Sequence, residues 1–121
     1  MTGPNVLLIE DHADLRDMLT VFLESEGFSV QTATNGAEAL QRLDASRPAV
    51  ILLDLMMPVM SGDEFRTRQL ADPRYADVPV ICITAAHDGR ARAERIRAHA
   101  YFQKPIDFDR LLGAVREYAH V

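Results

Sequence analysis

The chain has 121 residues, with 13 Lys or Arg against 18 Asp or Glu and a formal charge of −5. Hydrophobic residues make up 48% and charged residues 26%, which excludes a disordered tail, a fibre and a coiled coil and leaves one domain over residues 1–121, its core about 4–120. There is no apolar run of the ~18 residues a membrane helix needs and no basic-then-apolar signal after Met1, and the single cysteine excludes a disulfide framework. The acidic balance argues against direct nucleic-acid binding. The expectation is a cytoplasmic domain without membrane or nucleic-acid partners.

In chain order, Val6-Leu7-Leu8-Ile9 is a short apolar run that stops at Glu10-Asp11. Leu15, Met18, Leu19, Phe22 and Leu23 then recur at helical spacing up to Gly27. Ser29–Ala33 alternates as an edge strand does, and Asn35 with Glu38 reads as a capped helix start running through Leu40 and Leu43. Ala49–Leu53 is a second apolar run, ending at Asp54, and Phe65 and Leu70 mark a helix after Ser61-Gly62. Val78–Ile83 is a third run, ending at Thr84; Asp88 is placed to cap a helix reaching about Ala98, with a thin apolar face of Ala91, Ile96 and Ala98. Tyr101–Gln103 is the weakest strand, followed by Lys104-Pro105 and a helix capped by Asp107 through Phe108, Leu111, Leu112, Val115 and Ala119. Runs this short and uniformly apolar are strands covered on both faces, and five strands alternating with five helices predict a doubly wound α/β fold with a parallel sheet.

In such sheets ligands bind beyond the carboxyl ends of the strands. Those ends carry Glu10, Asp11, Asp54, Thr84 and Lys104, the last being the only lysine beside twelve arginines. Three clustered carboxylates repel one another unless a cation intervenes, and an all-oxygen donor set without a His or Cys cluster selects Mg2+ (or Mn2+). A metal, a hydroxyl and an ammonium suit a tetrahedral dianion, and phosphoryl transfer needs little more than that positioning. The central carboxylate, Asp54, fits a nucleophile that forms an acyl phosphate. No phosphate-cradling glycine loop follows any strand, and Met56 stands where a second aspartate would serve a phosphohydrolase.

Ile9-Glu10-Asp11, Leu53-Asp54-Leu55-Met56-Met57-Pro58, Ser61-Gly62, Ile83-Thr84-Ala85 and Lys104-Pro105, in this order, resemble the receiver domain of two-component response regulators over essentially the whole chain. The resemblance implies a flavodoxin-like (βα)5 fold with strand order 2-1-3-4-5, and a phosphoacceptor signalling domain that is not an enzyme in the ordinary sense. It implies that a histidine kinase or phosphotransfer protein phosphorylates Asp54. Glu10, Asp11, Asp54 and the Met56 backbone carbonyl would hold Mg2+, while Thr84 and Lys104 contact the phosphoryl oxygens. Thr84 and Tyr101 would form the switch, acting on the fourth helix, fifth strand and fifth helix. Met56, Ala85 and Ala86 would modulate phosphoryl loss, self-phosphorylation from small donors is expected, and the bond to Pro105 would be cis. Two departures stand out: the stretch between Thr84 and Tyr101 is short, and Arg97-Ala98 stands where the family often has a small residue or glycine.

The remaining residues carry plainer expectations. Cys82, Met18, Phe22 and Phe65 read as core, and His12, His87, His99 and His120 show no ligand spacing. Arg90, Arg92, Arg95 and Arg97 read as a solvated helix face, with a partner surface or homodimer contact as the competing reading. The chain ends after the fifth helix, so no output domain is expected; either a stand-alone regulator acting on a downstream protein or a piece of a hybrid kinase fits. Two readings of other classes stay open: a small Mg2+-dependent phosphohydrolase, and a receiver-like scaffold that works unphosphorylated.

Overall fold

The computed structural model describes residues 3–120. Strands and helices alternate as β1 (Asn5–Ile9), α1 (Ala13–Ser25), β2 (Ser29–Ala33), α2 (Gly36–Ala45), β3 (Val50–Leu53), α3 (Gly62–Ala71), β4 (Val80–Thr84), α4 (Gly89–Arg95), β5 (Ala100–Gln103) and α5 (Phe108–Ala119). The five strands form one parallel sheet in the order β2-β1-β3-β4-β5, as the resemblance implied. Side chains alternate across each strand, so the sheet has two apolar faces. Val6, Leu8, Val50 and Leu52 pack with Leu19 and Leu23 of α1 and Leu111, Leu112 and Val115 of α5. Leu7, Ile9, Ile51 and Leu53 pack with Leu43 of α2, Phe65 of α3 and Ala93 of α4. Apart from half-buried Asn5, the central strands are buried throughout and the edge strand β2 is mostly half-buried, which is why the former read as solid apolar runs and the latter as an alternation.

Register sets where the strands end. Ile9 is opposite Leu53, Leu53 is opposite Cys82, and Thr84 is opposite Gln103. The residues that follow, Glu10, Asp54 and Lys104, therefore meet at one edge; Asp54 N–H donates to the Ile9 carbonyl at 3.1 Å, and Lys104 N–H to the Thr84 carbonyl at 3.0 Å.

Three local expectations need correction. The buried face of α3 is Gly62, Phe65, Arg66 and Gln69, whereas Leu70 is exposed; the face has helical period, but two of its four residues are polar and hydropathy misses it. Helix α4 stops at Arg95, short of Ala98, and buries Gly89 and Ala93 in place of Ala91; the Asp88 side chain makes no cap hydrogen bond. The helix ends there because Arg97 takes φ of 58°, the left-handed conformation that favours glycine. Met18, on α1, is 57% exposed and is not a core residue. The start of α2 differs in detail: Asn35 Oδ1 accepts from Glu38 N–H, but Glu38 reaches back to Thr34 N–H, one residue before the cap.

Candidate functional site

Glu10 and Asp54 are carboxylates almost sealed from solvent, at 0% and 2% exposure, while Asp11 beside them is exposed. One carboxylate oxygen from each lies within 4.8 Å of the others, the one such acidic group among the described residues. Each buried carboxylate is held from its own loop. Glu10 Oε2 accepts from His12 N–H at 3.0 Å, and Arg16 of α1 donates to the Glu10 carbonyl at 2.9 Å. Asp54 Oδ1 accepts from Met56 N–H at 3.1 Å.

Lys104 supplies the local cation. Its Nζ lies 2.9 Å from Asp54 Oδ2 and 2.8 Å from Glu10 Oε1. The second contact is an ion pair whose geometry leaves that buried Glu10 oxygen without a directed hydrogen bond. Burial alone would depress the ammonium's pKa, but its bonds to Glu10 and Asp54 outweigh that and hold it above the usual lysine value. Burial pushes the Glu10 carboxyl up, and the neighbouring Asp54 charge adds to this against the lowering by Lys104. One ammonium therefore under-compensates three carboxylates, and a cluster of hard oxygen donors of this kind fits a divalent cation.

Thr84 is fully buried, its hydroxyl accepting from Ala86 N–H at 3.2 Å; Ala86 is buried and Ala85 exposed. Helix α4 presses on this residue: a Cβ at Gly89 would stand 2.6 Å from the Thr84 methyl and 2.8 Å from the Tyr101 hydroxyl oxygen. Gly89 thus allows a close approach that links α4 to both expected switch residues. Gly62 does the same behind Asp54, where a Cβ would fall 2.4 Å from the Asp54 carbonyl oxygen. The Lys104-Pro105 peptide is cis. Tyr101 is half-buried against the α4 side of the core, with Arg90 stacked over its ring at 5.3 Å.

Some participants were not legible as such. Arg92, read as part of a solvated face, is 18% exposed and pairs with Asp63 at the start of α3. It also donates to the Met56 sulfur at 3.3 Å. The available signal was weak, an arginine run and an acid in the first turn of the preceding helix. Cys82 is core, as expected, and burial pushes its thiol up to about 12.

The model of the response regulator receiver domain matches residues 6–116. The chain belongs to that family. As a receiver domain it has a phosphoacceptor role in two-component signalling. It is 33% identical over 115 residues to the response regulator Rre1 of Synechocystis, covering 93% of this chain and 50% of that protein. It is 28% identical to the receiver domain of a signal transduction histidine kinase from Syntrophus aciditrophicus, with a TM-score of 0.90 and coverage of 98% and 91%. The response regulator TrrA of Thermotoga maritima, solved in complex with Mg2+-BeF, is 29% identical, with a TM-score of 0.85 and coverage of 95% and 98%. The chain spans about half the length of several curated relatives that it matches, among them a DNA-binding regulator.

Proposed function

We propose that Asp54 is the phosphoacceptor and that Glu10, Asp11, Asp54 and the Met56 backbone carbonyl hold Mg2+ (or Mn2+). The observation that carries this reading is the Lys104 ammonium bridging two buried carboxylates at the head of the sheet, beside an exposed third. When bound, the divalent ion neutralises the carboxylates and the entering phosphoryl oxygens. A carboxylate oxygen of Asp54 attacks phosphorus in line, the P–O bond forms as the P–N bond to a histidine of the donor breaks, and the electron pair returns to the donor's imidazole. Lys104 then exchanges part of its contact with Asp54 for a phosphoryl oxygen. The Thr84 hydroxyl, which now accepts from Ala86, has its own proton to donate to another.

Phosphorylation turns the single charge of the Asp54 carboxylate into a phosphoryl dianion beside the end of β4, where Thr84 meets Gly89 and Tyr101, so a shift of Thr84 is felt directly by α4. The α4-β5-α5 surface is the readout, offered to a downstream protein, to the rest of a hybrid kinase or to a second copy of the chain. Residues 1–121 act as one receiver unit in the cytoplasm, phosphorylated by a histidine kinase or phosphotransfer protein and without contacting nucleic acid themselves. Small phosphodonors serve in place of the kinase, and Met56, Ala85 and Ala86 tune the return to the unmodified state.

Intact-protein mass spectrometry after incubation with acetyl phosphate and Mg2+ tests the acceptor. One phosphoryl adduct is expected, absent in Asp54→Asn and in the presence of EDTA. An adduct that persists in Asp54→Asn would place the acceptor elsewhere; no adduct, with partner binding intact, would favour a scaffold.

A further inference from the structure

Arg92 reaches across from α4 to the loop that frames Asp54. One guanidinium nitrogen is 2.5 Å from Asp63 Oδ1 at the start of α3, and the other is 3.3 Å from Met56 Sδ and 4.0 Å from Asp88 Oδ1. Met56 is also the residue whose backbone N–H binds Asp54 Oδ1, so its backbone lines the acceptor while its side chain touches α4. Met56 is 55% exposed, so the Arg92 contact is made at the surface of the site and not in the core. The thioether is a weak acceptor, but the forked guanidinium is already anchored by a charged partner and is only 18% exposed.

We infer that Arg92 is a positioning residue that latches the Met56 side chain over the mouth of the Asp54 site, so that α4 limits the in-line approach of both phosphodonor and water. The inference rests on Asp54 being the acceptor. Arg92 itself touches no reacting atom; its effect passes through Met56. Because the latch is carried by α4, the helix that Thr84 and Tyr101 abut, movement of α4 also opens the site from which the signal came.

The sign of the effect distinguishes a latch from general loosening. A loosened acceptor geometry slows both phosphoryl uptake and loss, whereas an opened mouth speeds both. The experiment follows uptake from acetyl phosphate and loss to water in wild type, Arg92→Ala, Arg92→Lys, Met56→Ala and Arg92→Ala/Met56→Ala, with Tm recorded for each. Arg92→Ala is expected to accelerate both steps roughly three- to tenfold, as loss of one weak restraint at a reacting centre does. Arg92→Lys keeps a cation beside Asp63 but loses the fork, and is expected to retain the wild-type Tm while matching Arg92→Ala in rate. In the Met56→Ala background, Arg92→Ala should have no further effect. Rates in Arg92→Ala that are unchanged or slower, or effects that simply add in the double variant, would overturn the latch and leave the acceptor assignment intact. A wild type that takes up no phosphoryl group would instead overturn the acceptor assignment, and the latch with it.

Discussion

Helices α4 and α5 flank the same strand, β5, and are held to the molecule by opposite means. Helix α5 has twelve residues and an apolar stripe of Leu111, Leu112 and Val115 sunk into the core, with Phe108 against Phe22 at 5.2 Å between ring centroids. Helix α4 has seven residues and buries only Gly89 and Ala93. Arginines hold it instead. Arg92 pairs with Asp63, and Arg66 of α3, itself 2% exposed, donates to the carbonyls of Ile96 and Arg97 just past the end of α4. Apolar burial is non-directional and tolerates no easy alternative, whereas a few directed polar contacts define one arrangement that a new charge can compete against. The helix anchored by polar contacts is the one that abuts Thr84, which suits it to move while α5 stays.

The largest expected effect comes from breaking the apolar side of the contrast. Leu111→Ala removes a fully buried side chain and is expected to cost about 2–5 kcal/mol in urea unfolding, with cooperativity kept. A loss under 1 kcal/mol would mean that α5 is not anchored by its stripe. Arg66→Met breaks the polar side: it strands the carbonyls of Ile96 and Arg97 and the Gln69 Oε1 that now accepts at 2.8 Å. A global cost of about 1–3 kcal/mol is expected, with amide exchange accelerated in α4 and residues 96–99 well beyond that in α5. Equal acceleration in both helices would erase the distinction.

A smaller effect concerns His99, at the junction of α4 and β5. Its Nδ1 accepts from Val80 N–H at 3.1 Å, and Tyr118 of α5 donates to its carbonyl at 2.9 Å. Burial, reinforced by the nearby Arg66 cation, lowers its pKa below the ordinary 6.5. The folded state thus binds fewer protons than the unfolded one around that value, so this contribution is complete above pH 6.5 and is lost as pH falls through the depressed folded value. Urea midpoints across this range should show a fall on acidification that His99→Asn reduces; an unchanged pH profile in the variant would assign it to other groups. Least is expected from Arg116→Ala, which removes a partly exposed pair with Glu26 at 2.9 Å and should change stability by roughly 0–1 kcal/mol. A larger loss would show α5 to depend on charge after all.

How much was legible follows the same divide. The three inner strands could be read because residues buried on both faces leave no polar positions, and the site could be read because each run stopped at a residue with chemistry. Arg66 and Gln69 could not be read as core, since nothing in their own segment indicates that Ile96, Arg97, Tyr75 and Val78 will supply carbonyls to them. For the same reason Arg92 looked like one more solvated arginine. The missing glycine before β5 raised a question that the backbone answers: Arg97 itself adopts the left-handed turn, and Arg66 holds its carbonyl.

The amino-acid order by itself determined the alternation of strands and helices, the family, and the acids, hydroxyl and lysine at the strand ends. These depend on periodicity and on neighbours a few residues away. Only the tertiary structure decided which arginines are buried, where α4 stops, and that Met56 joins α4 to Asp54. Those outcomes depend on partners far along the chain, such as Lys104 with Asp54 across 50 positions and Arg92 with Met56 across 36. A polar side chain carries no mark of its burial until the fold brings it a partner.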